Sequence, residues 1–342
     1  MATYIKFKPI TKKFLGALSD RVKKVIVLRF GLGDDGARET LESIGKQYGV
    51  TRERIRQIED FGLHAIRKSD VYKEENSVFD DLSGLMREYG GGIVDEKDFY
   101  SHLHKDELIH NHINFLLVLG EQFSKHREDD IYTHRWIIDR AVSDIVHKAI
   151  SELTKTLSED DLITEEDIVV SFLEHLKDVP KEYHNETHAR RWLSLSKKIG
   201  VNPLGEWGVS HSPNINARGI RDYAFLIIRR HGSPMHFTEV AREITNVFEK
   251  KAHIATCHNE LIKDRRFVLV GRGLYALKEW GYARGIVRDV IADILKKHGT
   301  LQKEEIVEHV MKERYVKPNT IIVNLQNPTY FKKNSNGTFS LK

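Results

Sequence analysis

TLESIGKQYGVTRERIRQIE, residues 40–59, is the stretch that decides the fold. Thr40 stands where a helix N-cap belongs, and Leu41, Ile44 and Tyr48 follow at helical spacing. Gly49-Val50-Thr51 makes a tight joint: glycine permits a positive φ, Val50 plugs the core, and Thr51 caps the next helix. In that second helix Ile55, Ile58, Gly62 and Ile66 form the buried stripe. Arg52 and Arg56, four apart, lie on the outer face with Glu53 and Gln57 in a parallel row. Two helices with such a joint predict a helix-turn-helix.

The outer face has the chemistry to read bases. Arginine donates twice to guanine, glutamine pairs with adenine, and glutamate accepts from the cytosine amino group. A solvated amphipathic helix is the bland alternative; the preceding helix and the joint argue against it here. Upstream, DRVKKVIVLR (20–29) predicts another helix, with Val22, Val25 and Ile26 on one side. The GLGDDG that follows (31–36) matches a dinucleotide fingerprint only in letters. A helix precedes it, and two aspartates stand where a phosphate would approach, so it is a loop. Residues 1–72 hold 15 Lys+Arg against 9 Asp+Glu, a net +6 in a chain of +4, which leaves −2 for residues 73–342. The surface that attracts polyanions is concentrated at this end.

VIVLRFGLGDDG and TLESIGKQYGVTRERIRQIE (25–59) resemble region 4 of the bacterial housekeeping sigma factors, GVTRERIRQIE (49–59) being the most specific part. The resemblance implies that Arg52, Glu53 and Gln57 read a −35 promoter element, and that Arg54 and Arg56 contact phosphates or nearby bases. It also implies docking on the β flap of RNA polymerase. The sequence departs from the family at Asp60, Phe61 and Gly62; a glycine there costs about 1 kcal/mol of helix propensity.

Further along, MREYGGGIVDEKDFYSHL (86–103), IRRHGSPMHFTEVAREI (228–244) and LKKHGTLQKEEIVEHV (295–310) share one plan. Each ends a helix with a basic residue, Tyr or His and then Gly, and opens a second helix after a polar gap. A third helix and a hairpin are expected after each, with turns at Gly271-Arg272-Gly273 and at Asn336-Gly337 in the last two. Three helices plus a hairpin make a winged helix. Residues 141–212 read as a degenerate copy closing near Leu204-Gly205-Glu206-Trp207. RDYAFLIIRRHGSPMHFTEVAREI and FVLVGRGLYALKEW, within 217–282, resemble the HARE-HTH winged helix, also found in the delta subunit of bacterial RNA polymerase. That resemblance implies association with DNA or polymerase. Arg272 at the wing tip, with Lys263, Arg265 and Arg266 after the third helix, are the candidate DNA contacts; solubilising the module is their other reading. The 79–140 wing carries Arg127-Glu128-Asp129-Asp130 at its tip, acids that repel phosphate and suit a spacer or protein contact.

Several function classes find no support. The one cysteine, Cys257, allows neither an internal disulfide nor a thiolate zinc site, and its spacing to Leu261 suits a core position. No apolar run approaches the ~20 residues of a membrane span, and Met1 to Ile10 lacks a signal-peptide core, so a cytoplasmic, nucleoid-associated protein is expected. His102, His104, His110 and His112 cluster, and His184 and His188 lie four apart. Neither set has metalloprotease spacing, and exposed histidines are the ordinary explanation. No Walker loop, serine elbow or nuclease set is evident, so no catalytic, cofactor or metal residue is assigned.

The expectation is a mainly α protein of tandem helix-turn-helix and winged-helix modules with small β-hairpin wings. Its domains are expected at 1–72, 73–140, 141–212, 213–282 and 283–342, the first a region 4-like module and the fourth HARE-HTH-like. The expected function is non-enzymatic: reading a −35-like element of double-stranded promoter DNA at initiation and associating with RNA polymerase. No segment resembling the −10 melting region is found, so a complete sigma factor is not expected. Two other classes stay open: a scaffold binding polymerase or sigma without base readout, and a polymerase-independent repressor or architectural protein. Oligomeric state is not legible.

Overall fold

In the computed structural model, which describes residues 5–282 and 287–342, the chain divides into two compact units. One comprises residues 1–200 and 207–210, the other 201–206 and 211–342. The chain is mainly helical with small antiparallel strand groups. The domain boundary expected at 283 lies outside the described residues.

The first unit opens with α1 (Phe7–Gly16), a helix the sequence reading did not place. Its signal was present: Phe7, Thr11, Phe14 and Leu15 are buried at helical spacing, and Pro9 sits in the first turn, where no backbone N–H bond is lost. Helices α2 (Asp20–Phe30), α3 (Leu41–Tyr48), α4 (Arg52–Arg67) and α5 (Asp70–Glu74) follow. Next come α6 (Ser77–Gly90), β1 (Ile93–Asp95), α7 (Glu96–Leu103), α8 (Glu107–Leu119), β2 (Ser124–His126) and β3 (Arg135–Ile137). The strands form one antiparallel sheet in the order β1-β3-β2, and Trp136 stands opposite both Val94 and Lys125. This is the expected three helices and a wing. Helices α9 (Arg140–Thr156), α10 (Glu165–His175) and α11 (Glu186–Leu193), with β4 (Ile199–Val201) paired to β5 (Trp207–Val209), give residues 140–209 the same plan.

Helix α8, ELIHNHINFLLVL, is buried from Asn111 to Leu117. One core joins it to the helices before it: Phe14, Ile26, Phe30 and Ile66 share a cluster with Phe79, Phe115 and Leu116. Phe30 meets Phe115 edge-on at 5.2 Å between ring centres, a favourable aromatic geometry. Polar groups fasten the same seam. Asn111 Nδ2 donates to the Gly31 and Gly36 carbonyls, both at 2.9 Å, and Arg38 Nε donates to Asn111 Oδ1 at 2.6 Å. Arg67 donates to the Val118 and Leu119 carbonyls, satisfying the open end of α8. The GLGDDG segment is thus a loop, held by a side chain 75 residues downstream of Gly36.

The second unit contains α12 (Ile220–His231), β6 (Met235–His236), α13 (Phe237–Phe248), α14 (Ile254–Lys263), β7 (Phe267–Gly271) and β8 (Leu274–Leu277), with sheet order β6-β8-β7. Then come α15 (Val287–His298), α16 (Lys303–Glu313), α17 (Pro318–Leu325) and the β9 (Phe331–Lys333)/β10 (Phe339–Leu341) hairpin. Gly232 and Gly299, expected to stop α12 and α15, do so at positive φ; α6 runs one residue past the expected stop, through Gly90, and ends at Gly91, also at positive φ. Cys257 is buried against Leu261, and burial pushes its thiol up to about 11, the behaviour of a core residue. His112 and His188 are buried rather than solvent-exposed, because both stand on helix faces packed against other helices. Among the described residues no group of His, Cys, Asp or Glu is arranged to hold a metal, and no helix is long and apolar enough to cross a membrane.

Candidate nucleic-acid interface

The helix-turn-helix is built as its residues dictate. Thr40 Oγ1 accepts from the Ser43 N–H at 3.1 Å and opens α3. Gly49 ends it at φ +65°, and Thr51 Oγ1 accepts from the Arg54 N–H at 3.2 Å to open α4. Gly45 lets the joint close, since a Cβ there would lie 2.7 Å from the Val50 carbonyl oxygen. Val25, Ile44, Ile55 and Ile58 form the small core between α2, α3 and α4. Gly62 has a packing reason that propensity alone does not reveal. It is where α4 crosses α2, and a Cβ on it would lie 2.8 Å from Val22 Cγ1. Arg29 fixes the rest of the approach: its Nε is 3.3 Å from Glu59 Oε2, and its Nη1 donates to the Glu39 carbonyl at 3.2 Å. Burial raises the Glu59 carboxyl above its ordinary range, with Arg29 opposing.

The stripe turned inward leaves Thr51, Arg52, Glu53, Arg54, Arg56 and Gln57 all exposed on α4 and its cap. The structure therefore brings the whole predicted set together on one rigid face, in the first two turns of the helix. These side chains also pair with one another. Arg56 grips Glu53 through Nε at 3.0 Å and Nη2 at 2.8 Å, and Arg54 Nη1 donates to Gln57 Oε1 at 3.1 Å. The bond from Arg56 holds the Glu53 carboxyl below its ordinary range. Asp60 joins this network, its Oδ2 accepting from Arg56 Nη1 at 2.6 Å. Sequence reasoning passed over Asp60 as a functional residue, although its i,i+4 spacing to Arg56 was there to be used. Phe61, one residue on, is 64% exposed, a large apolar side chain left in solvent beside the reading face.

The second candidate set divides. Lys263, Arg265 and Arg272 are exposed, and the first two line a cleft of about 580 Å³ beside Ile262 and Leu269. Arg266 is a correction. Its Nη2 lies 2.9 Å from Asp222 Oδ1 and 2.7 Å from Asp264 Oδ2, and its Nη1 reaches Asn214 Oδ1 at 3.2 Å. The guanidinium also stacks over Phe225 at 5.1 Å. Asp222 is buried, and a buried carboxylate needs its cation, so Arg266 is a structural ion-pair residue and not a free phosphate contact.

At the tip of the β2–β3 wing, Glu128, Asp129 and Asp130 are exposed as expected. Asp129 reaches the buried Arg135 at 3.4 Å, and Glu128 lies 3.6 Å from Lys197.

Comparison with known proteins bears on the first face. The family described as Sigma-70, region 4 matches residues 14–68. The RNA polymerase sigma factor SigA of Clostridium acetobutylicum is 48% identical over 68 residues, covering 20% of this chain and 18% of that protein. SigA of Listeria monocytogenes is 50% identical over 73 residues, 21% of this chain and 19% of that protein. The chain therefore spans about a fifth of the length of these relatives. All of α2, α3 and α4 falls inside the match, so it is the helix-turn-helix that is similar to sigma-70 region 4.

Proposed function

We propose that this protein binds promoter DNA through α4 and acts at transcription initiation together with RNA polymerase. The observation that carries the reading is the exposed row Arg52, Glu53, Arg56 and Gln57 on a helix capped by Thr51, inside a region 4 match. A recognition helix enters the major groove with its N-terminal residues against base edges, which is where these four stand. Arg52 and Gln57 would supply the bidentate contacts to a −35-like element, and Arg54 would sit against the backbone. A dock on the β flap of polymerase, implied by the resemblance, has to use surface outside the α8 seam, because the seam already buries Phe14, Ile26, Phe30 and Ile66.

A second reading, a scaffold that captures polymerase without reading bases, draws on the charge of the middle of the chain. Residues 73–212 hold 16 Lys+Arg against 28 Asp+Glu, a poor surface for phosphate. Capture of RNA polymerase by the tagged full chain separates initiation from a polymerase-independent role. Polymerase retained after nuclease treatment is the expected result; polymerase lost with the DNA removes it as a direct partner.

A further inference from the structure

The five helix-turn-helix or winged-helix segments differ in where their charge sits: residues 73–212 are acidic, whereas 213–282, with 12 Lys+Arg against 7 Asp+Glu, and the last segment are both basic. Residues 287–342 hold ten Lys+Arg and six Asp+Glu. All six acids, Asp289, Asp293, Glu304, Glu305, Glu308 and Glu313, lie on α15 and α16. From Arg314 to the end, 29 residues that include α17 and the hairpin, there are five cations and no Asp or Glu. Arg314 is buried, which leaves Lys317, Lys332, Lys333 and Lys342 exposed. Charge is thus unevenly spread within a module of about 56 residues: α15 and α16 carry both signs, and the third helix and the wing contribute lysines and amides.

That side has a defined shape. Ile321 and Leu325 of α17 are buried against α15 and α16, which turns Asn319, Thr320, Val323 and Gln326 towards solvent or the groove beside the hairpin. Val323 is 67% exposed, an apolar residue with no place in this module's core. The groove beside α17 and the hairpin, about 590 Å³, is lined by Gln326 and Lys333 and also by Lys303 and Glu304 at the start of α16. Lys332 and Lys333 are both exposed on β9, and Lys317 is exposed just before α17. Amides can pair with adenine, a branched apolar side chain fits the thymine methyl, and flanking lysines meet phosphate. A helix with a lateral cationic hairpin fits the major groove of B-form DNA, about 12 Å wide, whereas the deep, narrow major groove of A-form RNA excludes it.

We propose that the C-terminal module, residues 287–342, is a second duplex-DNA-binding site, with α17 in the major groove and Lys332 and Lys333 on the adjacent phosphates. This site stands independently of α4, and the two make the protein a two-point DNA binder.

The test uses the full chain on a long duplex, with hydroxyl-radical footprinting and the salt dependence of affinity. Lys332→Ala/Lys333→Ala removes two phosphate contacts, so the slope of log K against log salt becomes shallower by about 1.8 and one protected patch disappears while another remains. Lys296→Ala/Lys297→Ala makes the same change in net charge on the end of α15 and leaves both patches in place. Arg52→Ala weakens the patch that the hairpin variant retains, which keeps failure of the α4 reading distinct from failure of this one. Equal slopes for the two lysine pairs overturn the proposal. So does an unchanged footprint in the hairpin variant, or competition by an RNA duplex as effective as by DNA of the same length.

Discussion

Asp60 stands on the same exposed side of α4 as the residues that face DNA in the proposed reading, and it bonds Arg56 at 2.6 Å. An ion pair this exposed is weak and screened by salt, so it does not lock Arg56 away from a phosphate. What Asp60 does bring is a negative charge close to the DNA backbone and competition for one guanidinium arm. Asp60→Asn is therefore expected to tighten binding to all duplexes alike and to steepen the salt dependence by about one phosphate contact, measured by fluorescence anisotropy at several salt concentrations. Unchanged or weaker binding contradicts the placement of Asp60 near the backbone. The same scale shows where residue reading fails. In KDRRF, Asp264 was a visible local partner of Arg266 that the reading passed over, whereas the buried Asp222 lies 44 residues earlier and only the fold joins it to Arg266. The exposed set on α4 was legible because its partners are local, within four residues along one helix.

At the scale of elements, the caps and joints of α3 and α4 were legible from Thr40, Gly49 and Thr51, and each makes the bond its residue type predicts. The glycine stops of the repeats were legible for the same reason. Helix α8 was not legible as the partner of the helix-turn-helix, because sequence alone does not say which apolar surfaces meet. Its Asn111, His112 and Asn114 also interrupt the pattern of an internal helix. Asn111 has a role only in three dimensions, where it closes the Gly31–Gly36 loop. Asn111→Ala removes the donor for two carbonyls, and a lost partner at a buried polar group costs roughly 1–3 kcal/mol. The expected result in the full chain is a lower unfolding midpoint, with faster amide exchange in α2 and α8 than in α12. A midpoint equal to wild type means that the seam is held by its apolar contacts alone.

Across the whole molecule, charge is unevenly distributed: +6 over residues 1–72, 16 Lys+Arg against 28 Asp+Glu over 73–212, 12 against 7 over 213–282, and 11 against 6 over 283–342. The basic segments suit DNA, and the acidic 73–212 suits protein contacts or spacing. Histidine burial sets an acid limit on the first unit. Burial lowers His112, His147 and His188 below the ordinary histidine value, His147 to about 4, with Arg135 adding to the effect there and Lys8 and Lys12 at His112. The unfolded chain takes up these protons near pH 6.5 while the folded unit resists them. Stability of this unit is accordingly complete above about 6.5 and falls as the pH drops towards about 4. A urea midpoint followed by tryptophan fluorescence in a Trp280→Phe background, which leaves Trp136, Trp192 and Trp207 of the first unit as reporters, should fall between pH 7 and 5. A flat or rising midpoint would show that these imidazoles take up protons without cost to the fold.

The claim on which the account rests is that α4 reads bases, and sequence selection from a randomised duplex pool tests it most directly. The full chain is compared with Arg52→Ala, Gln57→Ala and, on the exposed face of α2, Lys23→Ala. Loss of a bidentate base contact costs ~1–3 kcal/mol and relaxes preference chiefly at one base pair, whereas loss of a phosphate contact weakens all sequences about equally. The account predicts that Arg52→Ala and Gln57→Ala each blur a different position of the selected motif, while Lys23→Ala selects the wild-type motif. If both α4 variants select that motif with undiminished stringency, α4 does not read bases and the scaffold reading takes its place.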